Sequence, residues 1–186
     1  MKKVLLLLTM LITQAALADQ HQQFTQQGKV AIKEFAGTLK GALVAAMKSG
    51  GPIEAINVCN QVAPSIAADL SQKYGFEIAR TSLKVRNPNN TADKWEHDVL
   101  HQFEERKQQG QDIKTLFINE AITQTASHEL RMMKAIPTGE VCLTCHGRKI
   151  APTIQARINQ LYPHDQAVGF SLGDIRGSFT VRKIID

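Results

Sequence analysis

Gly75-Phe76-Glu77-Ile78-Ala79-Arg80-Thr81-Ser82-Leu83-Lys84-Val85 is where the hydrophobic period of this chain changes. Phe76-Glu77-Ile78 and Leu83-Lys84-Val85 alternate apolar with polar, the pattern of a half-buried strand. N-terminal to Gly75 the period is helical. Phe24, Ala31, Phe35, Leu39, Ala42, Ala46 and Met47 recur at three- and four-residue steps between Asp19 and Ser49 and form one apolar stripe. Gly50-Gly51 ends that helix, and Pro52 opens a second one, where its missing donor does no harm. Ile53, Ile56, Cys59, Ala63, Ile66 and Leu70 share a face of this second helix. Pro64 lies inside it and should kink it, freeing the carbonyl of Asn60.

C-terminal to the switch, Asn87-Pro88-Asn89-Asn90 reads as a turn. Asn90 or Thr91 is placed to cap a helix with Trp95, Val99 and Phe103 on one face, ended by Gly110. Thr115 to Ile118 and His128 to Ile136 read as strands, the second stopped by Pro137. Ala151 to Leu161 reads as a short helix, and Val168 to Leu172 and Ile175 to Ile184 as two further strands around the turn Gly173-Asp174. About five strands joined by short turns or single helices must pair antiparallel. With two long helices in front, the pattern predicts one α+β domain without repeats or linkers.

The first residues stand apart. Met1-Lys2-Lys3 is a short basic start, Val4 to Leu17 is almost continuously apolar, and Ala16-Leu17-Ala18 is a small-residue cleavage site. This is the pattern of a secretory leader over residues 1–18, followed by a domain over 19–186. The apolar run falls short of the roughly 20 residues of a spanning helix and contains Thr9, Thr13 and Gln14. A soluble periplasmic product with no span after cleavage is expected. The 186-residue chain carries a formal charge of +5, of which Lys2 and Lys3 contribute two. The other basic residues are dispersed among acids, with no aromatic interleaving, which excludes a nucleic-acid partner.

The chain has three cysteines, an odd number for an oxidising compartment. Two lie in Cys142-Leu143-Thr144-Cys145-His146, the attachment motif of a c-type haem. Two thiols three residues apart reach the two vinyl groups on one edge of the macrocycle, and the histidine presents Nε2 to the iron. From this composition the motif arises by chance with an expectation on the order of 10⁻³. A thioredoxin-like dithiol would place it at a helix start after a strand, whereas here it follows the loop Pro137-Thr138-Gly139-Glu140. A zinc site would need Cys59 as a fourth ligand in a Cys₃His set.

A second axial position remains. Cys59, Met47, Met132, Met133, His97, His101, His128, His164 and His21 are candidates. Met132 and Met133 lie on a strand, where one fills core space. His97 and His101 fall one turn apart on a wet helix face, and His21 and His164 lie near a terminus and in a turn. Cys59 reads equally as a small buried hydrophobe or as a ligand beside the Pro64 kink.

Several segments together resemble a bacterial family of periplasmic, PAS-like domains with a single c-type haem, found alone or as the sensor module of membrane histidine kinases. They are Ala55-Ile56-Asn57-Val58-Cys59 to Ala63-Pro64-Ser65-Ile66-Ala67, Val85-Arg86-Asn87-Pro88-Asn89, Ala92-Asp93-Lys94-Trp95-Glu96, Cys142 to Gly147, and Gly173-Asp174-Ile175-Arg176-Gly177. The resemblance implies a central antiparallel sheet with flanking helices. It also implies one covalent haem with His146 and the Cys59 thiolate as axial ligands. This sequence has no transmembrane run after the leader and no kinase, so a signalling or redox partner is expected to be a separate protein. A thiolate ligand stabilises ferric iron and gives a low potential. The expectation is a non-enzymatic redox or gas sensor, with a low-potential single-haem electron carrier as the alternative. Arg86 or Arg176 is a candidate for pairing with a haem propionate, against a purely structural turn or ion pair.

Overall fold

The helical period of the N-terminal half produces α1, Lys2–Asn57. The computed structural model describes residues 2–124 and 127–185. Met1, the first residue of the expected leader, and Thr125, Ala126 and Asp186 of the expected domain lie outside the described residues. The break expected at Gly50-Gly51 is present inside α1, where Gly51 takes φ 69°, ψ −161° and Pro52 restarts the helix. Phe24, Ala31, Phe35 and Ala46 of the apolar stripe are buried.

Pro64 acts one turn earlier than a simple kink. Val58–Val62 form a π-helical turn closed by Ala63 N–H to the Val58 carbonyl. Pro64 has no N–H to give Asn60, so the helix widens just before it and resumes as α2, Ala63–Tyr74. Ile56, Ala63, Ile66 and Leu70 are buried as expected, but Ile53 is exposed.

Among the described residues the chain then forms a sheet of four strands rather than five: β1 Glu77–Thr81, β2 Phe117–Gln124, β3 Ser127–Pro137 and β4 Ile175–Ile185. All neighbours are antiparallel in the order β1-β4-β3-β2. This is an α+β fold. Two expected strand segments are not strands. Leu83-Lys84-Val85 lies beyond the end of β1, after Ser82 makes a lone bridge to Thr91. Val168 to Leu172 keeps only the bridge from Phe170 to Gly147.

Both faces of the sheet are covered. Leu130, Met132, Ile78, Phe179 and Val181 pack against Phe24, Phe35 and Ile66 of α1 and α2. Met133 and Ala135 pack on the opposite face against Val99, Leu100 and Phe103 of α3, Lys94–Gln108. Both methionines are therefore core, one on each face. The cap of α3 is Asp93, not Asn90 or Thr91. Its carboxylate accepts from Glu96 N–H at 2.8 Å while Glu96 accepts from Asp93 N–H at 3.1 Å, a reciprocal capping box. After β3 come α4, Glu140–His146, and α5, Pro152–Leu161. Ile154 and Ile158 of α5 pack with Ile56 and Tyr162 beside Cys145. Among the described residues, no helix is long and apolar enough to cross a membrane.

Candidate functional site

The Cys142-x-x-Cys145-His146 motif forms the last five residues of α4, and α4 is reached from Pro137 of β3 through only Thr138 and Gly139. The expected loop context is thus corrected: the motif sits on a short helix directly after a strand. Thr138 N–H donates to the Asp174 carbonyl at 2.7 Å and Gly173 N–H returns to Thr138 at 3.0 Å. The Gly173-Asp174 turn therefore holds the base of α4. At its other end Gly147 packs so tightly that an added Cβ would lie 2.5 Å from the Leu143 carbonyl oxygen. The following chain closes on the motif through Gly169 N–H to Gly147 and Phe170 N–H to His146.

His146 has a defined orientation. Its Nδ1 donates to the Ala167 carbonyl at 2.7 Å, which fixes the tautomer and leaves Nε2 as a free acceptor. Burial holds the imidazole well below its ordinary value, and the nearby Arg176 and Arg86 charges push the same way. It is neutral and competent to ligate a metal.

Arg86 holds this arrangement together. Its Nε and Nη2 donate to the two oxygens of Asp165 at 3.1 and 3.0 Å, and Nη2 also reaches the carbonyls of Cys145 at 2.6 Å and Ala167 at 3.2 Å. Both partners are buried, with side chains 8% and 4% exposed. One guanidinium thus ties the motif to the loop that orients His146. Arg86 takes the structural role of the two considered for it.

The three cysteines and His146 line one cavity of about 1010 Å³, at the top of the range of roughly 300–1,000 Å³ for ligand sites. α1 forms one wall, through Leu39, Leu43 and Met47, and the π turn presents Cys59. All three cysteines are free and half-buried. Burial pushes the Cys59 thiol up, opposed by Arg80, Arg86 and Arg176. Burial also raises the Cys145 thiol, the reverse of the depressed value of a reactive dithiol. Among the described residues, no group of three or more His, Cys, Asp or Glu side chains is close enough to hold a bare metal ion. The Cys₃His zinc arrangement is therefore not assembled.

Arg80 and Arg176 line the same cavity, and among the described residues neither makes a salt bridge. Arg176 is lowered to about 10, first by burial and then by Arg86 and Arg80. Arg80 was missed from the sequence. Its signal was a cation in a strand whose neighbour Ile78 is core, and it stacks over Phe35 at 5.8 Å. The other candidate ligands lie elsewhere, except Met47 on the cavity wall. His97 and His101 face each other on the exposed side of α3, Nε2 to Nε2 3.3 Å. His21 bonds Asn119 at 2.9 Å and His128 contacts Thr123 at 3.2 Å. His164 is exposed in its turn, and Met132 and Met133 are core.

The chain matches the Tll0287-like family over residues 2–183. It is similar to the crystal structure of the cyanobacterial heme-protein Tll0287, at 23% identity and a TM-score of 0.64, covering 84% of this chain and 93% of that one. Among curated proteins no match was found.

Proposed function

This chain belongs to the Tll0287-like family, and from that premise we propose that it is an exported protein carrying one covalent c-type haem. In this reading Cys142 and Cys145 would hold the haem covalently, and His146 and Cys59 would ligate its iron. The carrying observation is that four candidate ligating side chains line one large cavity without converging to the spacing of a bare ion. A broad, flat group that meets each of them at its own edge or face fits that geometry. The cyanobacterial neighbour, described as a heme-protein, supports the same cofactor.

The donor set fits a haem in further respects. Nε2 of His146 is free while Nδ1 is held. Arg80 and Arg176 have no carboxylate partner among the described residues, and an anionic cofactor edge supplies one. When bound, haem contributes a one-electron iron centre whose potential follows its axial ligands. The protein's part is to hold His146 neutral and oriented, exclude water with the α1 wall, and present the Cys59 sulfur as a thiolate. Cys59 is poised for change. Its thiolate is stabilised only by charge around it, while burial favours the thiol. A bound haem would supply one-electron chemistry there, and a Cys59 that burial and charge pull in opposite directions supports a periplasmic redox or gas sensor as the favoured role. PAS-like architecture is part of this reading.

The tests are spectroscopic. A pyridine haemochrome assay is expected to show two thioether bonds, and ferric EPR a low-spin thiolate signature lost in Cys59→Ala, with a raised reduction potential. An unchanged spectrum and potential in Cys59→Ala overturn the ligand assignment. CO binding to the ferrous protein separates the sensor from a low-potential electron carrier, which keeps both ligands. N-terminal sequencing of exported protein is expected to begin at Asp19.

A further inference from the structure

The cavity is longer than the site needs. Its α1 wall runs from Lys29 to Met47, roughly 27 Å at 1.5 Å per residue. Cys59 lies beyond the Gly51 break, past the end of that wall, and Cys142, Cys145 and His146 reach the cavity from α4. Ile32 and Ala36 of α1 and Phe117 and Ile136 of the sheet also line it, and Lys29, Lys33, Lys40 and Lys134 stand along it. Lys29, Lys33 and Lys40 are exposed and share a narrow line of the helix beside the apolar stripe. Lys29 lies over the Phe117 ring at 5.0 Å, and Lys134 donates to the Lys114 carbonyl from the opposite lip.

Among the described residues no carboxylate pairs with Lys29, Lys33 or Lys40, whereas Asp112 lies near Lys134. Among the described residues that line the cavity there is neither Asp nor Glu. The one acid on this stretch of α1, Glu34, is turned to the other side, where Lys73 and Tyr74 bond it at 2.7 Å each. On the haem reading Arg80 and Arg176 would match its anionic edge, which leaves the three lysines of α1 surplus to it. The three on α1 spread over about 16 Å, too far to serve one carboxylate headgroup and suited to an extended acidic surface.

We propose that this lysine-lipped outer groove is the docking surface for an acidic redox protein that exchanges one electron with the haem. The inference rests on the haem reading. In the forward direction the acidic donor loses one electron and the ferric iron gains it, with no bond made or broken between the proteins. Like-signed charge on one rim and opposite charge on the partner raise the encounter rate and make it salt-dependent.

Stopped-flow reduction of the ferric haem-loaded protein by fully reduced flavodoxin, an acidic one-electron donor, tests this. The second-order rate constant is expected to fall by about tenfold or more between about 10 and 300 mM ionic strength. At low salt the double variant Lys33→Glu/Lys40→Glu should lose a similar factor with its haem spectrum and far-UV circular dichroism unchanged. The same change at Lys94, 92% exposed on α3 across the sheet, should alter the rate by less than about twofold. A rate indifferent to salt, or to Lys33 and Lys40, overturns the docking surface. Isothermal titration of the protein with flavodoxin gives the same comparison of variants whether or not haem is attached. A negative haemochrome assay then removes the haem reading, while the titration still decides the groove.

Discussion

Arg86 shows what the sequence hid at the level of single residues. It was one of two arginines weighed for a propionate against a structural ion pair, and Asp165 takes both its Nε and Nη2, with the carbonyls of Cys145 and Ala167 as its other contacts. A pairing between residues 79 positions apart leaves no periodic trace, so its role was invisible before folding. Removing one member of a buried ion pair leaves the other uncompensated, at about 3–5 kcal/mol. Arg86→Ala is expected to lose that much stability in urea unfolding, and Arg86→Lys most of it, because an ammonium cannot span both Asp165 oxygens and two carbonyls. The same loss should loosen Ala167, the acceptor that orients His146. Haem attachment per chain, read from haemochrome absorbance against protein, should fall in Arg86→Ala. Attachment and stability both equal to the unaltered protein would refute the clamp. The motif cysteines and His146, which line one cavity, stood out in the sequence for the opposite reason: their spacing is local and chemically constrained.

At the scale of elements, the long periodic helices were readable and the irregular joints were not. Gly51 broke α1 where glycine and proline predicted, but Pro64 produced a wide turn instead of a kink, and that turn sets where Cys59 faces. Restoring the missing donor with Pro64→Ala should let a regular turn form, rotate Cys59, and alter the ferric EPR spectrum of the loaded protein. An identical spectrum would show that the proline does not position the ligand. Period two misled twice. Val168 to Leu172 alternates because it lies along α4, its Gly169 and Phe170 amides bonded to the motif, not because it pairs in the sheet. Leu83 to Val85 leaves the sheet where β1 and β4 approach closely: a Cβ on Gly177, φ 154°, would come within 2.4 Å of the Thr81 carbonyl oxygen. The cap of α3 also moved, from Asn90 or Thr91 to Asp93, because only Asp93 stands three residues before Glu96 and within 2.6 Å of Arg131. Burial raises the Asp93 carboxyl, but Arg131 and the Glu96 amide outweigh it and hold it below the usual range. A lowered folded value contributes stability above the unfolded value near pH 4, lost as pH falls through the folded value. Asp93→Ala is therefore expected to cost about 1–2 kcal/mol at neutral pH and to lessen the fall in stability below about pH 4. Denaturant midpoints measured across that range decide it, and parallel curves for the two proteins would refute it.

For the whole molecule, the sheet is a partition with two unlike sides. Behind it, α3 closes a conventional apolar layer over Met133 and Ala135. In front, α1 and α2 pack tightly at Phe24, Phe35 and Ile66, then diverge from the sheet to leave about 1010 Å³. The α+β class was legible because each element carries its own period. The size of that gap was not, since the same Leu39, Leu43 and Met47 read equally as core or as cavity wall. A space this large, walled by apolar groups and holding two arginines without carboxylate partners, is costly to leave unfilled. On the haem reading, the fold should therefore depend on the bound group more than on either half of the sheet. A Cys142→Ser/Cys145→Ser chain that binds no haem is expected to keep the strands and α3, and so most of its far-UV circular dichroism. The front layer, where α1 stands away from the sheet, should loosen and bind a hydrophobic dye. If filling the cavity stabilises by about 3 kcal/mol, the melting temperature falls by roughly 6–12 °C on its loss. Amide exchange should locate that loss in the second half of α1, the π turn and α4, with β3 and β4 still protected. Uniform loss of protection would instead mean that the two layers fold as one unit, and equal melting temperatures would mean that the cavity is not where the cofactor sits.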